Sequence, residues 1–523
     1  MFGNRPDRKL KLQVVKIMKY ISTRGGSAAV SSAAAIRQGI APDGGLYTPE
    51  TIPQISLATI RQLLGKDYQA VAATLLSLFL TDFPATDLQT MLATAYAVPE
   101  KFDRASVTPV VLLRDQTYVL ELWHGPTCAF KDVALQLLPH LMTKAGELTG
   151  ESREVVILVA TSGDTGKAAL EGFKDVPGTK IVVFFPEEGV SAIQRLQMVT
   201  QEGDNTDVVA VKGNFDDAQT GVKQVFTDPE LIKQLAARQM VFSSANSINW
   251  GRLAPQIVYY FYGYLELCRQ GALTFGERLN VTVPTGNFGN ILAAYFAREM
   301  GLPLGKLLCA SNANNVLTDF INTGVYDRNR PFYTTVSPSM DILISSNLER
   351  LLYYLCGQRA GQVNEWMADL KKRGRYQVDR LTAAKIQEVF YADFAAENET
   401  LATLAEVYHT AGMVLDPHTA VGEAVYQKYR KATGDQTPVL LAATASPFKF
   451  GSSVLQAING ATVGNGQSEA ELLEQLSRIA AQPIPSALRD LEHKPVRHRT
   501  ICGREQLAAV VKEILGIRLE NTK

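Results

Sequence analysis

"VVILVATSGDTGKAA", residues 155–169, decides the fold class of this chain. Its first part is an unbroken apolar run, its middle a turn of hydroxyls and glycines, and its last part favours helix. A strand apolar on both faces belongs inside a parallel sheet, and the turn-to-helix exit makes it the first half of a βαβ unit. The succession recurs in KIVVFF (180–185), followed by a helix from Ser191, and in DVVAVK (207–212), followed by NFDDAQTGVKQVF. LNVTVP (279–284), KLLCAS (306–311) and PVLLAA (438–443) each run into a turn holding Gly, Asn or Ser. The spacing predicts an α/β protein of two lobes, 150–245 and 279–450, with mostly parallel sheets flanked by helices. Between them GRLAPQIVYYFYGYLELC (251–268) reads as a long buried helix. Earlier, residues 58–80 and 85–98 carry apolar residues at three- and four-residue spacing, broken by Pro84 and Pro99. The expected units are a largely helical N-terminal domain over 1–105, a large α/β domain from 106–149 with 246–523, and a smaller α/β domain over 150–245. Within the large one, 360–433 reads as amphipathic helix packed outside.

Composition narrows the function. Of 523 residues 46% are apolar and 20% charged, and 52 Lys plus Arg cancel 52 Asp plus Glu. No bulk charge is left to hold nucleic acid or an anionic membrane surface, so any anion needs a local site. The five cysteines are scattered, odd in number and lack a CxxC pair, which argues against a disulfide framework or zinc site and for a reducing, cytoplasmic setting. The six histidines show no metal-ligand spacing. No apolar run approaches the ~20 residues that cross a bilayer. The basic first 17 residues lack the features of a secretory signal and read as a poorly ordered extension.

Ligands of open parallel sheets bind beyond the carboxyl ends of strands, so the strand-end turns are the candidates. Gly286, Asn287, Phe288, Gly289 and Asn290 follow LNVTVP; glycines there let backbone N–H groups close on an anion, or Asn290 simply caps the helix. Ser162, Gly163, Asp164 and Thr165 follow VVILVA, offering donors to an anion or a plain helix cap. Asn246 and Ser247 precede Arg252 in "SSANSINWGR", a combination of short polar groups and a guanidinium that suits phosphate. Thr444 and Ser446 follow the 438–443 strand. The remaining oddity is "LELWHGPTCAFKDVALQ" (120–136), where Lys131 opens a helix directly after Phe130. Two anion sites, an apolar-flanked lysine and a strand-end hydroxyl fit pyridoxal 5'-phosphate, which forms a Schiff base with a lysine. Partial burial would push the Lys131 amine toward the neutral form that such chemistry requires.

"HGPTCAFKDVALQ", "ATSGDTGKAA", "NSINWGR", "PTGNFGN" and "ATASPFKF", in this order, closely resemble the threonine synthase family, pyridoxal-phosphate enzymes built like the tryptophan synthase β subunit. "YISTRGG" and "APDGGLYTP" (41–49) are similar to that family's opening segment, and the resemblance runs from about Met18 to about Ser453. It implies conversion of O-phospho-L-homoserine and water to L-threonine and phosphate. The runners-up are a related phospho-lyase that yields a 2-oxo acid, and a non-catalytic scaffold. By resemblance Lys131 holds the cofactor and shuttles protons. Gly286, Asn287, Phe288 and Asn290 grip its phosphate, and Thr444 faces the pyridine nitrogen. Ser162, Gly163, Asp164 and Thr165 hold the substrate carboxylate, and Asn246, Ser247 and Arg252 the substrate phosphate. The wider superfamily usually has asparagine at the position of Asp164, beside the cofactor's phenolic oxygen, so the resemblance leaves Asp164 either protonated or turned away. Ser446 stands where some members have histidine. His124 and His418 read as structural histidines, Cys128 as a packing residue, and Asp132 as a helix cap or an orienting group. Monomer and homodimer both remain open.

Overall fold

The computed structural model describes residues 17–161, 163–187, 190–460 and 467–517, so residues 1–16 of the expected N-terminal extension and Ser162 lie outside the described residues. The first elements among the described residues form an antiparallel ribbon, β1 (Tyr20–Ser22) and β2 (Tyr47–Pro49). Helices Leu57–Arg61, Tyr68–Ser77 and Ala85–Ala95 follow. The helix expected over 58–80 is interrupted at Gly65, whose φ of +78° is left-handed, and it restarts where the Asp67 carboxylate accepts from the Ala70 N–H at 2.7 Å. A glycine in that conformation ends a helix as readily as a proline does.

Next comes the antiparallel pair β3 (Val110–Arg114) and β4 (Thr117–Glu121). Then β5 (Glu154–Ala160), β6 (Thr179–Pro186), β7 (Thr206–Lys212) and β8 (Met240–Ser243) alternate with helices, the first three near the positions that the apolar runs predict. After the helix Trp250–Arg269, buried along its length from Trp250 to Leu267, come β9 (Leu279–Pro284) and β10 (Leu304–Ser311). A second ribbon pairs β11 (Val325–Asp327) with β12 (Arg375–Gln377). β13 (Phe390–Phe394), β14 (Val439–Ala443) and β15 (Thr500–Gly503) complete the strands.

These form two principal sheets. The six-stranded one runs β13-β10-β9-β14-β4-β3 and is parallel except for β3. The five-stranded one runs β15-β7-β6-β5-β8 and is wholly parallel. Every residue of β9 and β14 is buried, as expected of central parallel strands with helices on both faces. One apolar core joins the N-terminal helices, the long helix (Trp250, Tyr259, Tyr264) and the larger sheet (Leu120, Val281, Leu440).

Two segments differ from the sequence expectation. The C-terminal segment, assigned to the large domain, adds β15 to the edge of the smaller sheet, and Cys502, Leu507 and Val511 are buried in that sheet's own core. Pairing covers an edge of β7 whose backbone groups would otherwise stay open. Within 360–433, the short strands β12 and β13 interrupt the helices, and the helix Pro417–Thr433 is largely buried instead of lying outside.

Candidate active site

The carboxyl ends of β4, β5, β9 and β14 converge on one cavity of about 330 Å³, large enough for a small cofactor and its substrate. Its wall includes Lys131, Thr165, Asn246, Ser247, Arg252, Gly286, Asn287, Phe288, Asn290 and Thr444. Gly163 and Asp164 lie behind the wall, and Ser162 is outside the described residues.

Lys131 is the first residue of the short helix Lys131–Leu135 and is buried. Its Nζ donates to Ser339 Oγ at 3.4 Å, lies 3.6 Å from Asp164 Oδ2 and sits 4.9 Å from the Phe130 ring centroid. Burial lowers its pKa, opposed by Asp164 and reinforced by Lys449 and Arg252. The neighbouring Asp132 turns away from the amine: its carboxylate accepts from the Thr127 N–H at 2.8 Å and the Thr127 hydroxyl at 2.6 Å, bracing the loop. Burial pushes that carboxyl up to about 6 against those hydrogen bonds. Cys128 packs, its thiol raised to about 12 by burial.

At the end of β9, Phe288 adopts left-handed backbone (φ +61°), and the helix Gly289–Glu299 starts without a side-chain cap. Asn290 therefore does not cap it. Its Oδ1 accepts from the hydroxyls of Tyr259 (2.7 Å) and Tyr260, while its Nδ2 is buried without a partner among the described residues. A neighbouring loop holds the turn. Asn347 donates from its backbone and side chain to the Asn287 carbonyl, both at 3.1 Å, and Ser345 Oγ donates to the Gly286 carbonyl at 2.8 Å. Asn347 also donates to Ser247 Oγ at 3.0 Å. Behind it the buried Arg350 donates to Asn347 Oδ1 (2.6 Å) and the Tyr47 carbonyl (2.9 Å), so the N-terminal ribbon braces both turns.

Arg252 is buried, with Nη1 donating to the Ala245 carbonyl at 2.5 Å and Nε left without a partner among the described residues. Burial lowers its pKa to about 10. A buried guanidinium with no acidic neighbour among the described residues is a site for an anion.

Asp164 sits between two lysines. Its Oδ1 lies 2.6 Å from Lys449 Nζ and accepts from Gln194 Nε2 at 2.9 Å; its Oδ2 accepts from Ser339 Oγ at 3.3 Å. Burial raises its carboxyl, but Lys449 and Lys131 outweigh that and hold it far below the usual carboxylate range. Thr161 organises this turn by accepting from the N–H groups of Gly163 (3.0 Å) and Gly166 (2.9 Å). At the end of β14, Thr444 gives its carbonyl to the Phe130 N–H at 2.8 Å, and the Ser446 hydroxyl caps the turn Pro447–Phe450 through the Phe448 N–H.

His418 reaches the wall as well. Its Nε2 accepts from the Ser339 N–H at 3.2 Å, so the ring proton sits on Nδ1 and is donated to Asp416 Oδ1 at 2.7 Å. His124 lies elsewhere, buried between Asp103 (2.7 Å) and Glu121 (2.8 Å). Sequence reasoning missed Ser339, Asn347, Arg350, Gln194 and Lys449. Only Lys449 carried a legible signal, since it repeats the Phe-Lys pairing of Phe130-Lys131 inside the quoted "ATASPFKF".

The cavity suits pyridoxal phosphate on its own terms. An uncapped helix N-terminus and two buried donors without partners await acceptors, and a Cβ on Gly286 would stand 2.9 Å from the Ser339 carbonyl. A buried amine shares the same wall.

Fold and site thus define the class of pyridoxal-phosphate-dependent enzymes, and the family model described as "Pyridoxal-phosphate dependent enzyme" matches residues 105–444. Models described as the threonine synthase N terminus and C-terminal match residues 19–96 and 419–514. Threonine synthase from Pseudomonas aeruginosa is 39% identical over 471 residues, covering 89% of this chain and 96% of that one. The pyridoxal-phosphate-bound threonine synthase structure from Brucella melitensis superposes with a TM-score of 0.83 at 38% identity, covering 96% of this chain and all of that one (100%). The chain belongs to the threonine synthase family. Human threonine synthase-like 1 is 41% identical over 464 residues, 87% of this chain, but the chain spans only 61% of that relative's length. Among the described residues no helix is long and apolar enough to cross a membrane, and no group of side chains could hold a metal ion.

Proposed function

We propose that this chain converts O-phospho-L-homoserine and water to L-threonine and phosphate. The single observation that carries this reading is the meeting, on one cavity wall, of a buried amine at Lys131, the uncapped turn Gly286–Asn290 and the buried Arg252. The sequence similarity to threonine synthases supports the choice of substrate.

Each residue then has a task. Lys131 would bind the cofactor aldehyde covalently, and its amine, freed when the substrate amine takes its place, would remove the α proton, pass it on and then remove a β proton. Protons return to Cγ and Cα, and water adds at Cβ, its own proton leaving with the phosphate. Pyridoxal phosphate, when bound, supplies the conjugated acceptor for the electrons those protons leave behind. The backbone of Gly286, Asn287 and Phe288 and the Asn290 amide would hold the cofactor phosphate at the helix N-terminus. The Thr444 hydroxyl would face the ring nitrogen without protonating it. Arg252, Asn246 and Ser247 would hold the substrate phosphate that leaves Cγ, and Thr165 with its neighbours Ser162 and Gly163 the carboxylate. Asp164, assigned with them to the carboxylate, has its charge met by Lys449 and would act on Lys131 more directly than on substrate. Anions at both ends would draw the smaller sheet toward the larger and exclude water.

The unit division 1–105, 106–149 with 246–523, and 150–245 belongs to the same proposal, with β15 moved to the last unit in view of its pairing with β7. So does a cytoplasmic setting, which five cysteines without a disulfide support. The test is product analysis with phosphohomoserine: threonine and one phosphate are expected. Formation of 2-oxobutanoate and ammonia in place of threonine, with phosphate released all the same, would overturn the reading in favour of a phospho-lyase.

A further inference from the structure

Two lysines, each following a phenylalanine, meet on one carboxylate. Lys449 Nζ lies 2.6 Å from Asp164 Oδ1 and Lys131 Nζ 3.6 Å from Asp164 Oδ2. All three side chains are buried. Lys449 makes one further hydrogen bond, to the Thr127 carbonyl at 3.0 Å, on the loop that leads to Lys131. Gln194 donates to the same carboxylate oxygen as Lys449, and Ser339 Oγ stands between Asp164 and Lys131, accepting from one and donating to the other.

Charge counting decides what such a trio does. Two ammonium groups and one carboxylate leave one surplus positive charge in a place where unpaired charge is costly. The surplus is removed most easily by releasing a proton from the cation with the weaker partner. Lys449 is in direct contact with the carboxylate and a carbonyl, whereas Lys131 has only a longer approach and a hydroxyl. Asp132, a second buried carboxyl near enough to Lys449 to be lowered by it, favours the Lys449 ammonium further, since it is held by Thr127 and not by Lys131. Arg252, on the long helix, adds a like charge, and His418 acts through Ser339 with its Nε2 already accepting.

We propose that Lys449 is a positioning residue for Lys131: by taking Asp164 as its own counter-ion, it leaves the Lys131 amine without a full partner and easier to strip of its proton. This also accounts for a carboxylate where the superfamily usually has an amide. Asp164 with Lys449 forms a neutral pair, as asparagine alone would be neutral. The inference rests on the reading of Lys131 as the cofactor lysine.

The test is competitive acylation of the full-length, cofactor-free protein across pH, with Lys131 labelling quantified by mass spectrometry. In the wild-type chain the Lys131 midpoint is expected at least ~1 unit below the ordinary lysine value of about 10.4. A midpoint at that value or above overturns the proposal without recourse to any variant. Lys449→Met leaves Asp164 to Lys131 alone and raises the midpoint by about 1 unit or more. Lys449→Met/Asp164→Asn, which buries no unmatched charge, returns it to the wild-type position. A lower melting temperature in Lys449→Met with an unmoved midpoint would make Lys449 structural only and overturn the proposal. Borohydride reduction after loading with pyridoxal phosphate separates the two readings. A tag on another lysine removes the functional reading, while the labelling midpoints still judge the trio.

Discussion

Two helices begin beside the same cavity and use their N-termini in opposite ways. Gly289–Glu299 has no side-chain cap, and the asparagine in its first turn is turned aside to two tyrosine hydroxyls. Its free amide end is left for an anion from outside. Asp164–Phe173 has its first-turn Gly166 N–H taken by the Thr161 hydroxyl, and its first residue is an aspartate whose charge is met by Lys449 and Gln194. The helix dipole favours a negative charge at both ends. One end imports it and the other carries it in the chain. The presence or absence of an internal anion with its own buried cation distinguishes the two turns.

The largest effect is expected where the two turns meet. Lys131→Ala removes the amine that both serve, and turnover should fall by about 10²–10⁴-fold from the lost proton transfer alone. Cofactor retention, followed by visible absorbance, should vanish with it. A coloured, fully active variant would break the comparison by showing that neither turn is arranged around Lys131.

Removing the internal anion comes next. Asp164→Ala leaves Lys449 buried without its carboxylate and should cost about 3–5 kcal/mol in urea unfolding. Because the Asp164 carboxyl is held below its usual value, its contribution is complete above the unfolded value of about 3.9 and declines as pH falls below that. Between pH 6 and pH 3 the wild type should therefore lose stability more steeply than Asp164→Ala. Parallel curves would mean that the second helix does not depend on its own anion.

The smallest expected effect sharpens the first turn. A Cβ at Gly286 would meet backbone, 2.9 Å from the Ser339 carbonyl and 3.3 Å from Met340 Cα, whereas at Gly289 the nearest atom is the Asn347 amide nitrogen at 3.4 Å. Gly286→Ala should weaken pyridoxal-phosphate binding by about 1–3 kcal/mol through forced backbone movement, and Gly289→Ala by much less. Equal Kd values for the two variants would show that close backbone approach at Gly286 is not what shapes the turn.

Much of this arrangement was readable from residue order. The apolar runs 155–160, 180–185, 207–212 and 279–284 became β5, β6, β7 and β9 almost residue for residue, because strands buried on both faces have to be apolar throughout. Lys131, Arg252 and the Gly286–Asn290 turn were legible for a related reason: charge or glycine next to apolar sequence is conspicuous. Ser339 and Asn347 were not, since short polar residues in turns are ordinary turn formers until a fold brings them to a partner, and Gln194 is an ordinary polar residue of the helix Ala192–Val199. The strand β15 was missed because four residues, half of them exposed, have no periodicity to read.

The chain's own order thus determined the class of fold, the strand-end turns and the resemblance to threonine synthases, all of which rest on local pattern. Only the tertiary structure decided how Asp164 is used. Its partner Lys449 lies far along the chain, and a buried charge takes its ionisation from the opposite charges packed within a few ångströms, wherever in the sequence they come from.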